Sequence, residues 1–306
     1  MSPGEVTPAI ILRTRPLGEA DLVVVLLTPG QGKVEAAATH ARASKKRFPG
    51  GLHPGMIGDA TIARGRGALL RLGAFEARRS HAPVGQDLTR FAYVAYVCEL
   101  CDELVLTRQE DPQIFEELDH TLAALIEGAP RTSELRRFEL ALLDALGLLP
   151  ALDACCVCGE VLSAVAEDLL GPRGDLAGED RGEPAEDLAD DLADDPPRDS
   201  PGDVPHAPPP AAGRVGPSTP ARVHFDGARG GALCAAHGAG AGSIDAEVLR
   251  LAVGLLHGAD QGAVEAAPAG RRRDLRDLSY GLLRSHLRRP LRSLAFLAEL
   301  PRVGAG

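Results

Sequence analysis

An acidic, proline-rich segment from Glu160 to Arg222 places the strongest constraint on how this chain folds. It contains EDLADDLADDPPRDSPGDVPHAPPPAAG and almost no aromatic or β-branched side chains. Such a composition cannot bury enough apolar surface to offset the entropy of ordering the chain. We therefore predict a disordered insertion over about 163–221, with a transient helix in its leucine-containing part. The fold must then be built from the residues on either side.

The same segment carries the net charge of the chain. It has 15 acidic and 5 basic residues, the rest of the 306-residue chain has 28 of each, and the first 80 residues have 12 basic against 6 acidic residues. The overall charge of −10 therefore does not argue against a polyanionic partner. No apolar run reaches the roughly 18–20 residues that span a bilayer, and the N-terminus lacks the features of a signal peptide. We expect a cytoplasmic, reducing location.

Short β-strands are predicted in the first 80 residues. The runs PAIILRT, DLVVVLLT and KVEAAAT are apolar and separated by turn residues, and MIGDATIARGRGALLRL reads as a hairpin that turns at 65–67. Several short antiparallel strands in so short a stretch favour a small closed barrel, because closure removes exposed strand edges.

Helical periodicity begins after Asp87. Asp111 followed by Pro112 is typical of a helix start, and Gly147 of a helix end. Helical patterns return over 245–256, 274–287 and 290–300. One predicted core stripe contains Phe91, Val94, Ala95, Cys98, Cys101 and Val105. A second stripe contains Leu135, Phe138, Leu142 and Ala145, with Arg136, Arg137 and Glu139 expected to face solvent.

Two short patterns of metal ligands lie on either side of the acidic segment. Cys155 and Cys158 form a C-x-x-C, and Cys234 and His237 form a C-x-x-H. Together they make a Cys3His set, which suits a tetrahedral structural zinc. A long insertion between the two halves is tolerated, since loop-closure entropy grows only logarithmically with length. The alternatives are a site that packs without metal, a redox C-x-x-C, and the exchange of a ligand for Cys156 or His224.

A basic cluster lies in the stretch THARASKKRFPGG and the strands around it. Basic side chains with an aromatic platform on a small barrel are typical of proteins that bind single strands without sequence preference. The alternative is a solvated basic loop. The predicted DNA-contacting residues are Arg13, Arg15, Lys33, Arg42, Lys45, Lys46, Arg47, Phe48, Arg64 and Arg66.

Recognisable catalytic motifs are missing from the sequence. There is no G-x-x-x-x-G-K-[ST], no H-E-x-x-H and no G-x-S-x-G, and a complete Cys3His set leaves no open metal position. We therefore expect a protein that is not an enzyme. A zinc-ribbon regulator that binds nucleic acid without annealing would need a groove-reading helix, and the middle of the chain offers no strongly basic one. A thiol oxidoreductase using Cys155 and Cys158 is a third reading.

Several stretches resemble the bacterial DNA repair protein RecO family. They are AIILRTRPLGEADLVVVLLTPGQGKVEAAATHARASKKRFPGGLHPG, RRFELALLDALGLLPALDACCVCGE, VHFDGARGGALC and PLRSLAFLAEL. The resemblance implies a multidomain α+β chain with an N-terminal OB-fold β-barrel over 1–82. An α-helical domain in two parts, 83–154 and 240–306, would follow, with a zinc-finger-like module over 155–239 that contains the insertion.

The resemblance also implies the function. Members of this family bind single- and double-stranded DNA, anneal complementary strands, and work with RecR and with the C-terminal tail of single-stranded-DNA-binding protein to load RecA. Such a protein acts non-covalently and in the cytoplasm, at the nucleoid. Two features depart from the family pattern: His237 stands where a cysteine is common, and the acidic insertion splits the module. We hypothesise that the aspartates of the insertion compete with DNA for the basic surface; the alternative is a passive insertion.

Overall fold

The computed structural model of the chain describes residues 4–65, 67–166, 221–258 and 261–299. Residue 66 and residues 167–220, which hold most of the predicted insertion, lie outside that description. The first part is a closed barrel of five strands in the order β1-β2-β3-β5-β4. The pairs are antiparallel except β3 with β5. The strands are β1 Glu5–Leu17, β2 Asp21–Thr28, β3 Gly32–Ala38, β4 Ile57–Ala63 and β5 Leu70–Ala77. The predicted OB-fold barrel is confirmed.

Strands β1 and β2 are buried on both faces. In β1 the side chains of Ala9 and Ile11 belong to the barrel interior, whereas Ile10 and Leu12 belong to the core shared with the helices. In β2 the alternation repeats, with Val24 inside the barrel and Val25 against the helices. A strand covered on both sides needs an uninterrupted apolar run, which is why PAIIL and LVVVLL do not alternate with polar residues.

The helices and a small second sheet follow the barrel. Among the described residues, the second sheet has the strand order β7-β6-β8, with both pairs antiparallel. No helix there is long and apolar enough to cross a membrane. The elements are α1 Ala82–Gln86, α2 Leu88–Leu104, α3 Pro112–Glu127, α4 Thr132–Ala145, α5 Ser163–Ala166, β6 Arg222–Asp226, β7 Gly231–Leu233, β8 Gly242–Asp245, α6 Ala246–Leu256, α7 Gln261–Ala266, α8 Ala269–Arg284 and α9 Arg292–Glu299.

Helix α2 is the central element of the helical domain. Asp87 caps it by accepting hydrogen bonds from the backbone N–H groups of Thr89 and Arg90. Its buried residues are distributed around the whole helix, since it packs on β1, α1, α3, α4 and α9. The predicted core stripe therefore includes only part of the buried surface of this helix. Phe91, placed in that stripe, is 49% exposed and touches Phe296 of α9 edge-on, with the ring centroids 6.0 Å apart.

The prediction that Glu139 faces solvent is wrong. Its side chain is completely buried and accepts hydrogen bonds from the hydroxyls of Tyr96 and Ser279, both at 2.6 Å. Arg136 completes the group at 2.7 Å from the carboxylate. Burial raises the pKa of Glu139, while Arg136, Ser279 and Tyr96 act in the opposite direction. This network ties α2, α4 and α8 together, and hydrophobic periodicity alone does not reveal it.

The barrel and the helical domain meet at Asp102 of α2. Arg13 of β1 donates to its carboxylate at 2.6 Å, and the Lys33 ammonium lies 3.8 Å from the other oxygen. Lys33 also donates to the backbone carbonyl of Asp102. Burial lowers the pKa of Lys33, and the Asp102 carboxylate partly restores it. A lysine held in this way has a structural role.

Candidate metal centre and nucleic-acid interface

The four predicted metal ligands come together in the structure. The candidate ligand atoms of Cys155, Cys158, Cys234 and His237 all lie within 4.8 Å of one another. Sulfur–sulfur separation is 3.9 Å for Cys158 and Cys234, and Nδ1 of His237 lies 3.3 Å from the Cys234 sulfur and 3.7 Å from that of Cys155. A tetrahedral zinc with bonds of about 2.3 Å to sulfur and 2.0 Å to nitrogen would separate its ligands by roughly 3.8 and 3.5 Å. The spacing fits such an ion.

The local folds around the two halves explain how residues 76 positions apart meet. Strand β7 leads directly into Cys234, and it hydrogen-bonds to the chain before and within the first half. Ala232 donates to the carbonyl of Ala151 at 2.8 Å and accepts from the N–H of Cys156 at 2.9 Å. Gly231 makes this approach possible, because a Cβ there would lie 2.1 Å from the Ala151 carbonyl oxygen.

Each half is a turn closed by a backbone hydrogen bond to the carbonyl of its first cysteine. The N–H of Gly159 donates to the carbonyl of Cys155 at 2.8 Å, and the N–H of His237 donates to that of Cys234 at 3.0 Å. In each turn the backbone N–H groups two and three residues later point at the first sulfur: those of Val157 and Cys158 at Cys155, and those of Ala236 and His237 at Cys234. This repeated arrangement favours thiolates, the form that binds zinc.

The first cysteines of the two turns, Cys155 and Cys234, have different surroundings. The backbone N–H of Cys234, together with the two N–H groups of its own turn, lowers the pKa of the Cys155 thiol to about 6 against the effect of burial. Burial and the Glu160 carboxylate raise the pKa of the Cys234 thiol to about 11.

The alternative ligands are not part of this cluster. The Cys156 sulfur points away toward the carbonyl of Arg229 at 3.4 Å. His224 lies in strand β6 with its ring against Gly238, where a Cβ would come within 2.2 Å of it. Cys98 and Cys101 are fully buried core residues on α2, as predicted. Burial raises the pKa of the Cys98 thiol to about 12.

The predicted DNA-contacting residues fall into two groups. The first group consists of exposed side chains at the barrel surface: Lys45 and Lys46 have no ion pair or side-chain hydrogen bond with any described residue, and neither has Arg64 in the β4–β5 turn. Arg42 is exposed and donates to the Glu19 carbonyl at 3.2 Å. Arg15 is also exposed, although it forms an ion pair with Glu35 at 3.5 Å. Arg66 lies outside the described residues.

The second group makes contacts within the fold, and burial corrects the prediction for Phe48 and Lys33. Phe48 is 2% exposed and packs with Leu52 and Met56 into the barrel core, where the β3–β4 connection closes the barrel end, so it cannot stack on a base. Lys33 is buried at the domain interface, and Arg13 is paired with Asp102 there. Arg47 lies 5.2 Å above the Phe48 ring and donates to the Thr39 carbonyl at 2.6 Å.

Comparisons with known proteins agree with this architecture. A family model described as Recombination protein O N terminal matches residues 1–81, and one described as Recombination protein O C terminal matches residues 85–177. A DNA repair protein RecO of Anaeromyxobacter sp. strain K is 35% identical over 97% of both chains. This chain belongs to the RecO family of DNA repair proteins. The RecO protein of Anaeromyxobacter dehalogenans strain 2CP-C is 34% identical over 95% of this chain and 94% of its own. That of Myxococcus xanthus is 36% identical over 49% and 62%.

One basic surface of this RecO family member was not predicted. Helix α8 and the connection to α9 contain eight arginines and two aspartates between residues 269 and 292. The stretch GRRRDLRD indicates this surface. The equal numbers of acidic and basic residues outside the insertion hide such a local cluster when only total charge is considered. The arginines are Arg271, Arg272, Arg273, Arg276, Arg284, Arg288, Arg289 and Arg292.

Proposed function

We propose that this protein binds single- and double-stranded DNA through the barrel surface and anneals complementary strands without covalent chemistry. As the resemblance implies, it would act in the cytoplasm with RecR and the tail of single-stranded-DNA-binding protein to load RecA onto covered DNA. Membership of a DNA repair family and a barrel with exposed, unpaired lysines support the DNA-binding step. The single observation that carries the proposal is the pair Lys45 and Lys46, whose ammonium groups face solvent without a neighbouring carboxylate among the described residues.

The β3–β4 connection explains how these lysines are presented. Phe48 anchors it in the barrel core, and Arg47 fastens it by donating to the carbonyl of Thr39 and the hydroxyl of Ser44. The lysines are thus carried on a loop whose ends are fixed. Phosphate contacts of this kind provide affinity without reading bases, because they release counterions from the backbone. Bases that stay unread are free to pair with a second strand.

We further propose that the Cys3His cluster holds one structural zinc. The donor set, the near-tetrahedral separations and the paired N–H turns support this assignment. The ion would close the module at its two turns and so fix both ends of the insertion. Four protein ligands leave no position for a catalytic water. Such a site also argues against a thiol oxidoreductase, because Cys155 and Cys158 would be occupied by the metal.

A salt titration of single-strand binding tests the barrel assignment. The variant Lys45→Gln with Lys46→Gln should weaken binding and flatten the slope of log affinity against log salt by about 1.4, because each single-strand phosphate contact contributes roughly 0.7. Arg47 is left unchanged, since it supports the loop. The matched control is Arg78→Gln with Arg79→Gln, which removes two charges that Asp59, Asp119 and Glu127 already pair.

The control should leave the slope nearly unchanged. Equal slopes for the lysine variant and the parent protein would refute the barrel assignment, provided that both variants keep the parent circular-dichroism spectrum. Annealing of complementary strands, with and without single-stranded-DNA-binding protein, tests the mediator function itself. A parent protein that binds DNA but never accelerates annealing would limit the function to DNA binding.

A further inference from the structure

The most strongly basic helix of the described structure lies at the opposite end of the chain from the barrel. Helix α8 packs on α4 and α6. The side chains that it buries there are Leu275, Leu278, Ser279, Leu282 and Leu283. Every arginine from Arg272 to Arg292 is exposed to solvent. The helix therefore has one apolar side and one cationic side, and the fold uses only some of the arginines on the cationic side.

The free arginines on this side are identified by their contacts. Arg289 is held by Glu103, Arg276 pairs with the neighbouring Asp277 at 2.7 Å, and Arg272 donates to the carbonyls of Glu265 and Ala267. Arg273, Arg284 and Arg288 have no ion pair or side-chain hydrogen bond with any residue that the structure describes. Exposed cations that the fold does not use are available to a polyanion.

Their spacing suits a phosphate backbone. Residues 273, 276, 280 and 284 are separated by three, four and four positions, which places them along one face of the helix. Arg273 and Arg284 are eleven positions apart, which corresponds to about 16 Å at 1.5 Å per residue. A B-DNA strand has one phosphate per 3.4 Å of axis, so this length covers about five phosphates. Tyr280, partly exposed between the arginines, lies where a base or sugar would pass.

We propose that this surface, defined by Arg273, Arg276, Tyr280, Arg284 and Arg288, is a second nucleic-acid site that holds one DNA strand through its phosphates. The inference rests on the proposed annealing function and deepens it. The barrel site would hold one strand and the α8 site the other, which brings two polyanions together on one chain. Phosphate contacts leave the base edges of both strands open for pairing.

The test compares three variants in salt titrations of single-strand binding and in annealing rates. Replacing Arg273, Arg284 and Arg288 with Gln should flatten the salt slope by about 2, from roughly 0.7 per phosphate contact. At protein concentrations that saturate a single strand, annealing should slow by about tenfold, since the strand held by α8 would bind more weakly. The same three positions changed to Lys keep the charge and should restore most of the annealing rate.

A control in the same helix should change the DNA affinity in the opposite direction. Asp274→Asn with Asp277→Asn removes two exposed carboxylates and frees Arg276 from its partner, so DNA binding should tighten at low salt. Damage to the helix would weaken binding in both variants, whereas an electrostatic site gives opposite changes.

The results distinguish failure of the α8 site from failure of the proposed DNA binding and annealing function. Parent affinity, slope and annealing rate in the Gln variant would overturn the α8 site while leaving barrel binding intact, and would reassign the arginines to an acidic protein partner. A parent protein that binds no DNA would refute both proposals. If the Gln variant loses DNA affinity and annealing rate and the Lys variant does not restore them, the α8 site is also refuted. That result would show that the arginines have a structural role.

Discussion

Replacing Glu139 with Leu should lower the free energy of unfolding by roughly 3–5 kcal/mol, the cost of removing one partner from a buried ion pair. The change leaves Arg136, whose side chain is 11% exposed, without its carboxylate. It also removes the acceptor of the fully buried Tyr96 hydroxyl and one partner of Ser279. Leu fills most of the space, so the loss reports the polar network and not a cavity.

The matched control is Glu117→Leu. Glu117 also pairs with an α4 arginine at 2.7 Å, but its side chain is 29% exposed and it joins only α3 to α4. A pair of this kind typically contributes about 0–1 kcal/mol. Chemical denaturation followed by far-ultraviolet circular dichroism measures both, since the chain contains no Trp. A loss below about 1 kcal/mol for Glu139→Leu, equal to the control, would refute the reasoning.

The pH dependence of the Glu139→Gln variant checks the same site independently. Burial raises the folded-state pKa of Glu139 above its ordinary value of 4.5. A raised pKa means that the folded protein holds the proton more tightly than the unfolded chain. The carboxyl group then contributes stability that is full below pH 4.5 and is lost as the pH rises through the folded-state pKa. Relative to Gln, which does not titrate, the parent should lose stability over that interval; a constant difference would contradict the raised pKa.

Three further predictions concern the module, the domain interface and the insertion. Cys158→Ser should abolish stoichiometric zinc by elemental analysis and lower the melting temperature, whereas Cys156→Ser, whose sulfur points away from the cluster, should keep the metal. Asp102→Asn should cost about 3 kcal/mol in denaturant titrations, because Lys33 stays buried without its counter-charge. Replacing residues 175–210 with a short Gly-Ser linker should tighten DNA binding at low salt only, if the acidic insertion competes with DNA; identical binding curves at every salt concentration would make the insertion passive.

The barrel and the Cys3His cluster could be predicted because each depends on a local pattern. Strand runs and turn glycines identify a barrel without knowledge of what surrounds it. The C-x-x-C and C-x-x-H motifs identify the four residues of the cluster however far apart they lie in the sequence. The same holds for Asp87, Asp111 and Gly147, which end or begin helices through contacts with their immediate neighbours.

The errors have a common physical cause, which is contact between residues distant in sequence. The helical stripe of α4 assigns Glu139 to the solvent side, but its partners Tyr96 and Ser279 are 43 and 140 positions away. Phe48 follows a basic run in the sequence, but its ring is buried in the end of the barrel. Lys33 faces an aspartate on a helix that begins 55 residues later. A single sequence shows neither which charges are paired nor which aromatic ring fills the end of the barrel core.

The contacts between the barrel and the helical domain bear on how two DNA sites would cooperate. Ile10, Leu12, Val25 and Leu27 of the barrel belong to the same buried core as α2, and Asp102 joins both parts through ion pairs. Helix α9 is fixed to α2 by Glu99, which accepts the N–H groups of Arg292 and Ser293. The lysines of the barrel loop are anchored in the barrel interior and the arginines of α8 on the helical core, and strands β1 and β2 contribute side chains to both cores. A strand bound at one site would then meet a strand at the other as an intramolecular partner, at an effective concentration in the millimolar range. Weak phosphate contacts at each site would suffice for annealing, and either strand could still leave once the duplex has formed.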